Sequence, residues 1–233
     1  LKREKVWYVR LEAIRAAGAL RIYELIEPLQ AVIEDPCSLA EEKTAAMMAV
    51  VEMSNQISRQ KLEGLITQSR SLLRQLGAEI IAHFERTQDS DLLLQLLHDS
   101  SEEVRISALN ALALLRVKYI EKKSIHSLVE ICLKDSSPLV AITAGYLLLI
   151  NQEKAGETAL GYWLQSENLK WQRLAAAAIA ASGRFGVDLA FKSIHKVKDP
   201  YVRLNLCIGL IGQRAHTAIA SDTIFSIMSQ ESG

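Results

Sequence analysis

The stretch Asp99-Ser-Ser-Glu-Glu-Val-Arg-Ile-Ser-Ala-Leu-Asn-Ala-Leu-Ala-Leu-Leu115 decides the fold, together with the run Ile125-His-Ser-Leu-Val-Glu-Ile-Cys-Leu133 that follows it. Asp99, Ser100 and Ser101 are turn and N-cap residues, and Glu102 and Glu103 put negative charge in a first turn, where the helix dipole favours it. Val104, Ala108, Ala111, Leu112 and Leu115 then recur every three or four residues, which draws one apolar stripe along a helix. A stripe needs a partner. Ile125, Leu128, Val129, Ile131 and Leu133 supply it as a second helix, reached through the Lys-rich turn Glu121 to Lys123. The pair closes at Lys134-Asp135-Ser136-Ser137-Pro138, where acid, hydroxyl and proline announce the next helix start. The same grammar reopens at Asp199-Pro200-Tyr201 and more loosely at Glu167-Asn168.

Working outward, the core of this stretch returns seven times as a basic residue, a small residue three positions on, and an apolar one three positions later. The copies are Arg10-Ala13-Ala16, Lys43-Ala46-Ala49, Arg74-Gly77-Ile80, Arg105-Ala108-Ala111, Ala141-Ala144-Leu147, Arg173-Ala176-Ile179 and Arg203-Leu206-Gly209. Ala141 has lost the base, and Leu206 is large where the others are small. The anchors are 33, 31, 31, 36, 32 and 30 residues apart, the period of stacked supersecondary units. The expectation is an all-α solenoid of about seven antiparallel helix pairs in one domain over 1–233, with approximate repeats 1–36, 37–67, 68–98, 99–134, 135–166, 167–198 and 199–233. Small residues at the repeated position let neighbouring helices approach without a clash. Residues 56–90 carry helical spacing but little turn punctuation, and the 36-residue interval reads as a longer turn around Tyr119 to Lys123.

Composition agrees with an array of this kind. Apolar residues make up 49% and aromatics 6% of the 233, with four Pro, the balance of a chain packed with Leu, Ile, Val and Ala in helices. Lys plus Arg equals Asp plus Glu at 27 each, whereas a nucleic-acid-binding domain carries a basic excess. Cys37, Cys132 and Cys207 are odd in number and widely separated, which suggests neither a disulfide framework nor a zinc site and points to a reducing, cytoplasmic location. The longest apolar run, Val140 to Ile150, is too short to cross a bilayer. The chain opens at Leu1 without a charged leader, and so reads as an excerpt of a longer protein or a processed product.

A turn Asp, then Val-Arg, a small residue three positions on and an apolar pair after it, as in Asp99, Val104-Arg105, Ala108 and Ala111-Leu112, resembles the HEAT repeat. The short period is similar to that of phycobilin-lyase-type HEAT proteins. The resemblance covers essentially the whole chain, carried by repetition rather than by any single motif. It implies a right-handed superhelix whose second helices line a concave face that binds other macromolecules. It also implies an acid–base ladder between neighbouring repeats, whose matching positions here are Asp99, Asp135 and Asp199 with Arg10, Lys43, Arg74, Arg105, Arg173 and Arg203. With Ala141 out of pattern, one rung should be missing, which makes the junction near residue 135 a candidate point of flexibility.

The basic anchors sit at one equivalent position beside a recurring acid, so structural pairing is favoured over a phosphate-binding row. His83, His98, His126, His195 and His216 show no metal-ligand spacing, and no metal or cofactor is expected. Cys132 and Cys207 interrupt apolar helical stretches, where Cys packs as a small hydrophobe rather than serving His126 or His216 as a nucleophile. Gly183-Arg-Phe-Gly186 matches no nucleotide fingerprint and reads as a turn. Trp7 and Trp171 fall near starts of first helices. Trp163, beside Tyr162, falls in a second helix, and both are the types that anchor interfaces.

These readings point to a noncatalytic scaffold that binds another protein through the ridges of its second helices. Helical phase nominates Glu24, Glu27, Lys122, His126, Tyr162, Trp163, Lys192 and His195 as contacts. Two rivals come from other classes. HEAT-like alkylpurine DNA glycosylases have similar length, but their catalytic positions have no match here, and a neutral charge disfavours DNA. Chromophore lyases share the short repeat, yet no chromophore-handling residue is identifiable.

Overall fold

The computed structural model describes residues 5–54 and 57–231, and it divides into two compact units, 1–111 and 112–233. The N-terminal unit contains α1 (Trp7–Ala19), α2 (Ile26–Glu34), α3 (Ala40–Ser54), α4 (Arg59–Ile66), α5 (Ser71–His83) and α6 (Ser90–Leu96), and the division falls within α7 (Glu102–Leu115). In this unit the first helices α1, α3 and α5 pack in a row, while α2 lies against α3 and α4 against α5. Ile14, Leu29, Ala46, Ala49 and Met53 form its first core, with Leu25, Ile26 and Val50 packed at the edge.

The C-terminal unit contains a two-residue hairpin of β1 (Tyr119–Ile120) and β2 (Lys123–Ser124), then α8 (Ile125–Val129), α9 (Pro138–Ile150), α10 (Lys154–Trp163), α11 (Leu169–Ala181), α12 (Val187–Ser193), α13 (Pro200–Gly212) and α14 (Thr217–Glu231). Here α9, α11 and α13 form the row of first helices, with α10 packed on α9 and α14 on α13. Their core joins Leu160, Ala175, Ala176, Ile179, Leu206, Cys207, Leu210 and Ala220. The fold is all-α, a solenoid of stacked helix pairs.

The long interval between the fourth and fifth anchors has a structural cause. Tyr119 pairs with Ser124 and Ile120 with Lys123 around Glu121 and Lys122, whose φ angles are 49° and 67°. Two consecutive left-handed residues make the turn whose twist matches a β-hairpin, and it occupies the residues that lengthen this repeat.

A second device recurs at the ends of first helices. Arg21, Glu85, Arg116, Gln152, Gly183 and Arg214 all have φ between 49° and 65°. Four of these ends share a bond of one type: Ile22 N–H donates to Ala17 O at 3.0 Å, Arg86 to Ile81 O at 2.9 Å, Glu153 to Leu148 O at 3.0 Å and Ala215 to Leu210 O at 2.9 Å. This is a left-handed C-cap, a place where Gly is the usual residue. Only one of the six is Gly, so the turn signal is absent from the sequence at the other five.

These caps also set the register. The left-handed residue lies eleven positions after Arg10, Arg74, Arg105, Ala141 and Arg203, and in the sixth repeat it lies eleven after Gln172. The anchor of that repeat is therefore Gln172 and not Arg173, and the interval on each side of it becomes 31 residues.

Small residues at the anchor's +6 and +8 positions carry close contacts between successive first helices. A Cβ placed on Gly18 would lie 2.8 Å from the Ala49 Cα, and one on Gly209 would lie 2.8 Å from the Ala180 Cα. Position +6 (Ala49, Gly209) thus meets the upstream first helix, and position +8 (Gly18, Ala180) meets the downstream one. Ala13 and Ala16 of the first repeat, expected at such a contact, are exposed, since within the N-terminal unit α1 packs only downstream, through Ala17 and Gly18.

Candidate interaction surfaces

Three sets of polar side chains organise the surface. The first is the ladder on the first helices. Arg74 Nε donates to Asp99 Oδ2 at 2.6 Å and its Nη2 to Asp99 Oδ1 at 2.7 Å, while Nη1 folds back onto Gln68 O and Ser69 O at 2.8 and 2.9 Å. Arg105 Nη1 repeats the fold-back onto Asp99 O at 2.7 Å. Gln172 makes the same i−6 contact by donating from Nε2 to Ser166 O, which leaves the neighbouring Arg173 to reach Asp199 at 2.8 and 3.2 Å. In the first repeat Arg10 Nε takes not a turn Asp but Glu42 Oε1, at 2.7 Å, in the first turn of α3. Glu42 also accepts from Leu39 N–H, the reciprocal half of a capping box.

A rung therefore runs from an anchor to the opening of the following repeat. The rung lost at Ala141 belongs at Glu167–Asn168 rather than near residue 135. Asn168 there accepts from Lys170 N–H at 2.9 Å, while Asp135 accepts from Ser137 N–H at 2.8 Å. Lys43, in α3, makes no ion pair among the described residues. The hydrogen bonds from Arg74 hold the Asp99 carboxyl below its usual range, and those from Arg173 do the same for Asp199. Hydrogen bonding to the charged form favours ionisation, outweighing the desolvation that opposes it.

The second set lies on the second helices of the N-terminal unit and has no counterpart in the sequence reading. Arg59 at the start of α4 donates to Asp91 at 2.9 and 2.5 Å, to Asp89 at 3.1 Å and to Glu63 at 3.0 Å, and Arg86 joins Asp89 at 2.6 Å. Asp89 is 1% exposed, so a buried acid is held by two guanidinium groups. The signal was present, for Arg59 and its acids are 30 and 32 residues apart, which is the repeat period again.

The third set is a groove of about 340 Å³ across α1, α3 and α5. Ala19, Ala45, Met48, Ala49, Leu72 and Leu76 form its apolar lining, and Arg15, Glu41, Glu52 and Glu79 supply its charge. Crowding by the groove walls partly desolvates the Glu79 carboxyl, which still reaches solvent, and pushes it above its usual range. Arg15 is engaged by Glu12 at 2.6 Å, and His83 Nε2 stands 3.9 Å from Glu52. The groove lies on first helices, while the sequence reading put the contact face on second ones.

Of the nominated contacts, Glu24 and Glu27 are exposed at the start of α2 and the short helix before it, in the N-terminal unit. The other six lie in the C-terminal unit. Lys122 is exposed in the hairpin turn, and His126 Nδ1 stands 3.5 Å from Glu153. Lys192 reaches from α12 to Glu157 on α10 at 3.5 Å, and Lys154 pairs with the same carboxylate. Tyr162 is 69% exposed and meets Trp163 edge-on at 5.3 Å, while Trp163 packs against the core. Lys192 and His195 are exposed on and just beyond α12. Lys192 thus meets α10 through Glu157, and Tyr162 stands exposed on the same helix beside the core-packed Trp163.

The remaining candidates are occupied otherwise. His216 stacks on Phe191 at 3.8 Å, away from any thiol role, and Cys132 and Cys207 are buried while Cys37 is exposed. Among the described residues no three His, Cys, Asp or Glu side chains converge as a metal site, and no helix is long and apolar enough to cross a membrane.

Residues 62–149 match the family model of HEAT repeats. No curated protein matches the chain by sequence. Among solved structures the chain is similar to the complex of CpcE and CpcF of phycocyanin lyase from Nostoc sp. PCC7120, at 17% identity and a TM-score of 0.61, over 96% of this chain and 91% of that one. At that identity the likeness concerns the fold.

Proposed function

We propose that this all-α solenoid, whose residues 62–149 match the family model of HEAT repeats, is a noncatalytic scaffold that binds another protein, with the groove of α1, α3 and α5 as the principal contact. The observation that carries this is the groove's lining: an apolar floor with Glu41, Glu52 and Glu79 against the single Arg15. Such a surface suits an amphipathic segment that buries apolar side chains on the floor and presents Lys or Arg to the rim. The exposed Tyr162 on α10 and Lys192 on α12 are further contacts of the same scaffold.

Affinity capture from the source lysate at low and moderate salt tests this, with proteins and nucleic acid both identified. A stoichiometric protein is expected, and its capture is lost with Glu52→Lys plus Glu79→Lys while the unfolding midpoint of this chain stays unchanged. Capture indifferent to both substitutions refutes the groove, and nucleic acid that disappears steeply with salt would replace the scaffold reading by a DNA-binding one.

The fold likeness to a phycocyanin lyase complex favours a second reading, a factor in chromophore attachment. Incubation with a bilin and an apo acceptor protein decides it, since a covalent adduct formed only in the presence of this chain would make it a lyase component.

A further inference from the structure

On the first helices Arg10, Arg74 and Arg173 each place Nε on a carboxylate that opens the next repeat: Glu42, Asp99 and Asp199. Arg203 holds on α13 the same anchor position as Arg10 and Arg74. Its Nε is buried and has no hydrogen-bond partner among the described residues. A guanidinium N–H shut away from water without an acceptor is unfavourable, and a carboxylate is the acceptor that matches its charge and geometry.

The surroundings point the same way. Ile211 lies eight residues after Arg203, at the position where Gly18 and Ala180 meet a downstream first helix. It is 39% exposed, and Ile208 on α13 and Phe225 on α14 are 55% and 66% exposed. The helix pair thus carries a buried guanidinium N–H without an acceptor among the described residues and three uncovered apolar side chains, of which Ile211 occupies a position that elsewhere in the chain is a contact position.

We propose that this face of α13 and α14 is an interface for a partner protein whose contacting element is a helix pair opened by an Asp or Glu. The partner's carboxylate takes Arg203, and its first helix covers Ile211. Because Ile211 replaces a small residue, the covering helix must offer a small side chain opposite it or sit farther out than α13 sits from α11.

The test needs a helix pair of this chemistry, and the chain itself provides one in residues 199–231. A copy is fused after Gly233, so that its leading Asp opens an added pair, and urea unfolding constants are measured for a cycle of Arg203→Met and Asn at that leading Asp. Arg203→Met is expected to raise the unfolding constant of the fused chain at least tenfold, and to have no such effect once the leading acid is Asn. In the unfused chain Arg203→Met should leave the midpoint unchanged or raise it, while Arg173→Met lowers it. Additive effects in the fusion overturn the proposal. So does an unfused Arg203→Met protein as destabilised as Arg173→Met, which decides the matter even if the fusion fails to fold. The readout is stability, so failure of the groove reading would leave it untouched.

Discussion

Replacing Arg74 by Met removes the best-defined rung and should destabilise the fold by about 3 kcal/mol. The guanidinium makes four hydrogen bonds, two to Asp99 and two to the carbonyls of Gln68 and Ser69. The two side chains keep only 13% and 10% exposure, so solvent screens them weakly. Removing one partner of a buried pair typically costs about 3–5 kcal/mol, because the other charge is left uncompensated. The lower end applies here, as Asp99 retains the Ser101 N–H at 2.8 Å and some contact with water. For a chain of this length the unfolding midpoint should fall by about 6–12 °C. The pH dependence has a definite sign. Arg74 holds the Asp99 carboxyl below its usual range, so the folded state binds fewer protons than the unfolded chain. The pair's stabilisation is full above the ordinary Asp value of about 3.9 and is lost as pH falls through the lowered one. Urea titrations of both proteins at pH 7, 4 and 3 should therefore show a gap that narrows in acid. A gap below about 1 kcal/mol at pH 7, or one that does not narrow, would refute the reasoning.

Further outcomes follow from packing and burial. Gly156→Ala should destabilise by about 2–3 kcal/mol, because its Cβ would sit 2.3 Å from Leu149 N and 2.7 Å from Gly145 O; an unchanged midpoint would show that α9 and α10 are not in close contact. Gly64→Ala, with nothing within 4 Å of the new Cβ, should stabilise α4 by about 0.5–1 kcal/mol in the same assay. Ala176→Phe should overpack its buried site and lower stability by about 1–3 kcal/mol. With a disulfide-forming reagent on the folded protein, Cys37 should react fast and Cys132 and Cys207 only on unfolding; Cys207 is both buried and pushed up in pKa by that burial, so its fast modification would contradict the assigned core.

What the residues determine alone is the periodic element. Apolar residues every three or four positions and acid-hydroxyl-proline openings specify helix pairs, because helix starts are read by side-chain caps close in sequence. The ends of first helices were not legible, since the left-handed position is held by Arg21, Glu85, Arg116, Gln152 and Arg214, which carry no turn signal. Without those ends the anchor of the sixth repeat was read one residue late, at Arg173, and residues 56–90 lacked boundaries. Which side of each helix becomes a surface is a tertiary matter. Arg15, Met48 and Glu79 each lie five residues after their anchors and so share one phase, but that this phase lines a groove rather than a packed contact depends on how α1, α3 and α5 pack. Lys192 meets Glu157 only through the packing of α10 beside α12, and the Arg203 Nε lacks, among the described residues, the acceptor that its equivalents find. Local side-chain chemistry writes the repeat; the contacts of helices about thirty residues apart decide which of its charges are paired and which face outward.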